Sequence, residues 1–368
     1  GFYCPHPSLG TMRVAFVSLY TLHTRDTYVT RRLARLSGLL AERGHDVHVL
    51  CGRWWDGSHP TFEQDDITYR AVDGDFSSKL FVSKLPFALR RTDPDVVHVP
   101  NSPVGHARAA KTACRLLRTP VVVDWWADRV GESDGDYRKL ARSADALVAP
   151  SETVKTVVRG HGAPEDAVSV IPPSIDFELV ESATPDDRVD YVYSRRLDDD
   201  ANVETFLLAL AELREREWNA AVIGSGPALE DAKRTARDLR IEDRVAFLGE
   251  LPETERVPIF KGAHVVAQTA THEPFATELL WGLACGCVGI AEYQTDSAAH
   301  ELIEHKSRLP ETRGHMVSSP QELADEIVDA ERLAHRTVNT NYDRYDHDPI
   351  TDRYLDLYER VIDDYGFF

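Results

Sequence analysis

Short apolar runs alternate with stretches of helical periodicity along nearly the whole chain, and that alternation limits what it can fold into. "MRVAFVSLY" from Met12 reads as a buried strand, residues 27–44 as an amphipathic helix closed by Gly44, and "HDVHVLCGRW" as a second strand. The rhythm continues through strand 93–100, helix 106–118, strand 119–126, helix 137–144, strand 145–151, helix 152–162 and strand 168–176. Strands that are apolar on both faces need helices on both sides, so the spacing predicts a parallel sheet between two helical layers. After the polar stretch "ESATPDDRVD" at 181–190, a second series begins. It runs strand 191–197, helix 201–217, strand 219–227, helix 228–241, strand 244–251, helix 256–263, strand 264–270, and then an apolar helical run ending in Cys-Gly-Cys. The expected fold is α/β, two doubly wound parallel-sheet lobes facing a cleft. Residues 1–11 are expected to be an extension outside it, 12–180 the first lobe, 181–190 a linker, 191–349 the second lobe, and 350–368 a helix packing back across the lobes.

Composition removes some classes of function. With 42 Lys+Arg against 61 Asp+Glu, a formal charge of -19 leaves no basic face for displacing counterions, and no nucleic-acid partner is expected. Lysine is scarce (Lys79, Lys84, Lys111, Lys139, Lys155, Lys233, Lys261, Lys306) and Asp exceeds Glu, a bias that points to a salt-loving source. No uninterrupted apolar run is long enough to span a bilayer. Five scattered cysteines write neither a disulfide framework nor a zinc site, so a reducing cytoplasm is the expected home, with Cys285 and Cys287 packed in a core.

Chemistry gathers where the strand ends of the second series should meet. Arg196 follows "YVYS", Gly224 and Gly226 follow "AAVI", and Glu273 follows "VVAQTA", just ahead of the apolar helix. Glycines past a strand either let the backbone approach a ligand or simply make a tight turn. Arg196 offers a fork of donors suited to a diphosphate, or forms a surface ion pair with Asp198 or Asp199.

Seven stretches carry a likeness to a known family: "DPDVVHVP", "SADALVAPSETV" followed by "VIPPSID", "SRRLDDDANVETFLLALAEL", "VIGSGPALEDAKRTARDL", "DRVAFLGELP" and "HEPFATELLWGLACGC". From Met12 onward the chain resembles the retaining glycosyltransferases of the GT-B fold, family 4 type, which take sugars from nucleotide-diphosphate donors. The resemblance implies two Rossmann-like lobes. It makes Arg196 the clamp on the donor diphosphate and Glu273 the first glutamate of an E-x7-E signature, meeting the donor sugar's hydroxyls. It sets the backbone of Pro274, Phe275, Ala276 and Thr277 on phosphate and sugar, and Leu248 and Leu251 beside the base. It implies no metal and no cofactor.

The departures from the family pattern are specific. Ala201 stands where a lysine is usual, and Trp281 where the second glutamate would hold the ribose. Glu278, one helical turn earlier, either replaces that contact or complements the helix dipole. In the first lobe "YTLHTRDTYVT" replaces a glycine-rich loop, and Trp126 stands where a histidine is often found. Asp128 is the candidate for orienting the acceptor or the transferred sugar, against a salt bridge with Arg129, and Trp126 is placed on the acceptor side; His98 and His23 are weaker candidates.

The reaction so implied is transfer of a hexosyl group to a hydroxyl with retention, by front-face attack, with Glu273, Arg196 and Asp128 as the catalytic set. The acceptor is expected to be a glycan or a lipid-linked molecule of surface glycan or glycolipid assembly. The enzyme would then be cytoplasmic, in peripheral contact with the inner membrane face, although no strongly basic amphipathic helix is evident. Two alternatives stay open: a sugar-nucleotide 2-epimerase of the same fold, and a non-catalytic donor-binding partner.

Overall fold

The computed structural model describes residues 10–126, 132–304 and 312–366. The chain divides into two compact units. One holds the residues up to Pro150, Val154–Ile171 and those from Thr351 onward; the other holds Ser151–Thr153 and Pro172–Ile350.

In the first unit, β1 (Arg13–Val17), α1 (Tyr28–Glu42) and β2 (Asp46–Gly52) follow the expected order. Next come β3 (Thr61–Gln64), β4 (Ile67–Asp73), α2 (Ser78–Thr92), β5 (Val96–Pro100), α3 (Val104–Leu117) and β6 (Val121–Asp124). After these lie α4 (Asp134–Ser143), β7 (Ala146–Ala149), α5 (Glu152–Gly160) and β8 (Val168–Val170). The sheet order is β3-β4-β2-β1-β5-β6-β7-β8, parallel except where β3 runs antiparallel to β4. Val121, Val122 and Val123 are wholly buried, as a strand covered on both faces requires. Helix α1 starts on a capping box in which Thr27 and Thr30 satisfy each other's backbone N–H.

Residues 55–92, where the sequence suggested no element, hold β3, β4 and α2. Strand β3 is an exposed edge without an apolar face, and Pro86 sits inside α2. The expected strand 168–176 shrinks to Val168–Val170, because two prolines follow at once and cannot donate to a ladder.

The second unit continues with α6 (Phe177–Ser182), β9 (Tyr191–Ser194), α7 (Val203–Glu212), β10 (Ala220–Ile223), α8 (Leu229–Asp238), β11 (Val245–Gly249), α9 (Glu253–Gly262) and β12 (Val265–Gln268). It ends with β13 (His272–Glu273), α10 (Thr277–Ala284), β14 (Val288–Glu292), β15 (Asp296–Ser297), α11 (Ala299–Ile303), β16 (Gly314–Val317), α12 (Pro320–Ala330) and α13 (His347–Gly366). Six parallel strands in the order β11-β10-β9-β12-β14-β16 form its sheet, and β13 pairs with β15. The apolar run expected to be helical up to Cys-Gly-Cys is α10, which stops at Ala284 with Cys285 as its cap, and Gly286 turns the chain at φ +91° ahead of β14. Cys287 lies wholly buried there, its thiol directed at the Phe260 carbonyl 3.0 Å away, which is a packing role.

From Thr351 on, α13 belongs to the first unit, and a buried polar network joins it there. Arg32 donates to Asp124 Oδ2 (2.7 Å), to the Ile171 carbonyl (2.8 Å) and to the Tyr354 hydroxyl. Tyr358 meets His98 Nδ1 at 2.7 Å. Burial alone would raise the Asp124 carboxyl, yet the Arg32 guanidinium and His98 hold it down at about 2.

Candidate active site

Strand order locates the site in the second unit. From β9 the chain winds outward through β10 to β11, then returns to the other side of β9 as β12 and continues to β14 and β16. The carboxyl ends of β9 and β12 therefore border the point where the winding reverses, the usual ligand crevice of an open parallel sheet. Arg196 follows β9 and Glu273 follows β12, so topology brings together residues 77 positions apart in sequence.

The turn after β9 is built by close backbone packing. Leu197 N–H donates to the Ser225 carbonyl (2.9 Å), and Gly224 N–H to the Gly249 carbonyl (2.7 Å). Gly224 and Gly226 have φ of +135° and +152°, and a Cβ on them would lie 1.9 Å from the Arg195 carbonyl oxygen and 2.2 Å from that of Leu197. What these glycines admit at close range is the protein's own backbone at 195–197, the tight-turn alternative left open by the sequence. Leu248 is partly exposed at the end of β11, and Leu251 follows two residues beyond that strand, half-buried.

Of the two adjacent arginines, Arg196 is exposed and has no ion-pair partner among the described residues. The ion pair to Asp198 exists, but Arg195 makes it: its Nη1 lies 2.5 Å from Asp198 Oδ1. Arg195 is buried, and its Nε donates to Glu273 Oε2 at 2.8 Å while Nη2 donates to the His272 carbonyl at 3.0 Å. Burial pushes the Glu273 carboxyl up to about 7, against the opposing pull of Arg195 and with Asp198 and Glu278 adding to the rise. Sequence reading missed Arg195, for which the only signal was its place beside Arg196.

Pro274, Phe275 and Ala276 are buried at the start of α10, and Thr277 is half-buried. Glu278, in the first turn, accepts from Ser194 Oγ at 2.9 Å and lies 3.2 Å from Arg256 Nε. Ala201 is buried, with its carbonyl accepting from the Tyr193 hydroxyl at 2.5 Å. Trp281 is buried in the core, 6.0 Å from the Arg256 guanidinium. The two positions of the second unit that depart from the family pattern, Ala201 and Trp281, are thus buried in apolar packing.

In the first unit, Trp126 is buried rather than open to an acceptor. Its ring faces Tyr28 at 6.2 Å and Arg32 at 5.2 Å, and its backbone N–H donates to Asn101 Oδ1. Asp128 lies outside the described residues. His98 is wholly buried within the α13 network, and His23 stacks on Trp54 at 3.8 Å.

Several known proteins resemble this chain. The N-acetyl-alpha-D-glucosaminyl L-malate synthase of Bacillus anthracis is 22 % identical over 88 % of this chain and 92 % of its own length. The alpha-monoglucosyldiacylglycerol synthase of Streptococcus pneumoniae (strain ATCC BAA-255 / R6) is 25 % identical over 42 % of this chain, a match spanning only 38 % of that protein. Among solved structures, Alr3699/HepE of Anabaena in complex with UDP and glucose superposes with a TM-score of 0.73 at 20 % identity, covering 95 % of this chain and all of that one. A glycosyltransferase of Rickettsia africae ESF-5 reaches a TM-score of 0.77 at 13 % identity, over 96 % and 99 % of the two chains. Residues 29–179 match the model of Glycosyltransferase Family 4 and residues 174–343 that of Glycosyl transferases group 1. Two Rossmann-like sheets and matches to glycosyltransferase domains in succession place the chain among the glycosyltransferases of the GT-B type.

Proposed function

We propose that the protein transfers a hexosyl group from a nucleotide-diphosphate sugar to a hydroxyl acceptor with retention of configuration. The observation that carries this is the convergence of exposed Arg196, buried Glu273 and the start of α10 at the reversal point of the second sheet. Arg196 has no anionic partner among the described residues there, so a diphosphate can take its fork of donors and its charge. Backbone N–H groups opening α10 add a partial positive charge on the same side. Glu273 accepts hydroxyls of the donor sugar and holds its reacting carbon in place. Leu248 and Leu251 flank the base, and Glu278 lies next in line along α10. The uridine nucleotide and glucose held by the Anabaena relative favour a UDP-sugar. Asp128 is assigned to the acceptor, which attacks the anomeric carbon from the face the diphosphate leaves.

A lipid-linked acceptor, and with it peripheral contact with an inner membrane face, is supported by α2. This helix carries Lys79, Lys84, Arg90 and Arg91 and no acidic residue, and Phe87 on it is 77 % exposed. The sequence reading found no strongly basic amphipathic helix because it assigned none to these residues.

The test is incubation of the purified protein with UDP-glucose and related donors, with and without hydroxyl acceptors, following product and anomeric configuration. Transfer with retention is expected, lowered at least a hundredfold in Glu273→Gln, since a neutral amide loses a charge-assisted contact strongest in the transition state. Conversion of the donor sugar without an acceptor would assign an epimerase instead. Undiminished transfer by Glu273→Gln would remove Glu273 from the site.

A further inference from the structure

Arg195 and Arg196 leave the same strand end in opposite directions, one into the protein and one out. The buried member is the more heavily bonded: Nε on Glu273 Oε2, Nη2 on the His272 carbonyl, and Nη1 shared between Asp198 Oδ1 and the Arg196 carbonyl at 3.0 Å. Two of these partners belong to the turn after β9 and two to β13, so a single planar group ties together both segments that border the reversal point. Of the carboxylate it holds, Oε2 is occupied, whereas Oε1 takes no hydrogen bond among the described residues.

We infer that Arg195 is a positioning residue for Glu273: it fixes the carboxylate through Oε2 and leaves Oε1 as the oxygen presented to the donor sugar. This rests on the donor role given above to Glu273. A buried ion pair that served stability alone would be a poor use of two charges, because desolvation commonly cancels what the pair gains. A planar fork on two segments instead fixes orientation, which a point charge does not. The acidic neighbours act against it. Asp198 and Glu278 both disfavour a charged Glu273, and Glu278 is itself engaged by Ser194 and Arg256, so Arg195 is the counter-charge on which the ionised Glu273 depends.

Carbon-13 NMR of glutamate carboxyls tests this without needing catalysis, with the Glu273 resonance assigned by its loss in Glu273→Gln. In Arg195→Met the Glu273 titration should move up by about one pH unit or more. Arg195→Lys should restore part of the shift, and Arg196→Met should leave it where it is in the wild type. Calorimetric titration with UDP-glucose at pH 7 should show affinity reduced about tenfold or more in Arg195→Met, with recovery as the pH is raised and Glu273 ionises. Arg196→Met should lose affinity at every pH. An unmoved Glu273 titration in Arg195→Met overturns the proposal. Should that variant fail to fold, Arg195→Lys decides in its place: an ammonium cannot reproduce the fork, so an unmoved titration there overturns it equally. If the titration moves but Glu273→Gln binds UDP-glucose like the wild type, Arg195 still sets the carboxylate and the donor role of Glu273 is what fails.

Discussion

Glu273 and Asp124 are both buried carboxylates facing arginine, and their environments pull them in opposite directions. For Glu273 burial wins and the group rises to about 7; for Asp124, Arg32 and His98 win and the group stays at about 2. The signs of their stability contributions therefore differ. A folded carboxyl raised above its unfolded value binds more protons in the folded state, so its contribution is full below the ordinary carboxylate range and is lost as the pH rises through about 7. Asp124 contributes above its ordinary value and loses that contribution as the pH falls through about 2. Urea unfolding between pH 5 and 8 should accordingly show wild-type stability declining relative to Glu273→Gln, and parallel curves would mean that Glu273 is not raised. At this scale sequence reading had a natural limit. Glu273 was legible because it stands between a strand and a helix, but which of two neighbouring arginines is buried depends on the packing at 195–197, and no local pattern encodes that. Gly224 and Gly226 were visible as glycines past a strand end, expected on the donor side or in a tight turn, yet their close partner, the backbone at 195–197, becomes a neighbour only once β9 and β10 pair.

Elements with strong periodicity were recovered almost throughout: the helices at α1, α3 and α8 and the apolar strands between them follow directly from spacing. Those that escaped lack that signal. Strand β3 faces water on an edge, and α2 mixes basic and apolar residues on its outer side. That outer side sets an expectation at the scale of the element. In low salt, vesicles of phosphatidylglycerol should co-sediment the protein while phosphatidylcholine vesicles do not, and replacing Lys79, Arg90 and Arg91 by glutamine should reduce binding at least tenfold, each cation contributing about 1 kcal/mol near an anionic surface. Equal sedimentation with both lipids, or no loss in the triple variant, would count against α2 as the contact.

For the whole molecule, the net charge of -19 sets the response to salt. Screening of self-repulsion among surface carboxylates should raise the melting temperature between 0.1 M and molar KCl, and a highest value in low salt would argue against a halophilic source. The two main parallel sheets were legible apart from β3 and β4, since alternation of strands and helices admits few other solutions. The way the chain is shared between units was less so, and it bears on how the protein is made. Residues from Thr351 onward complete the first unit, where Tyr354 and Tyr358 close over Arg32 and His98. During synthesis, β1 through β8 leave the ribosome long before α13, so the first unit to appear is the last that can be finished. Its Arg32, His98 and Asp124 must wait, without the cover of α13, while the whole second unit is translated. A nascent chain in which β1 through β8 have emerged but α13 has not would therefore carry Arg32, His98 and Asp124 as a solvated cluster in place of a sealed one.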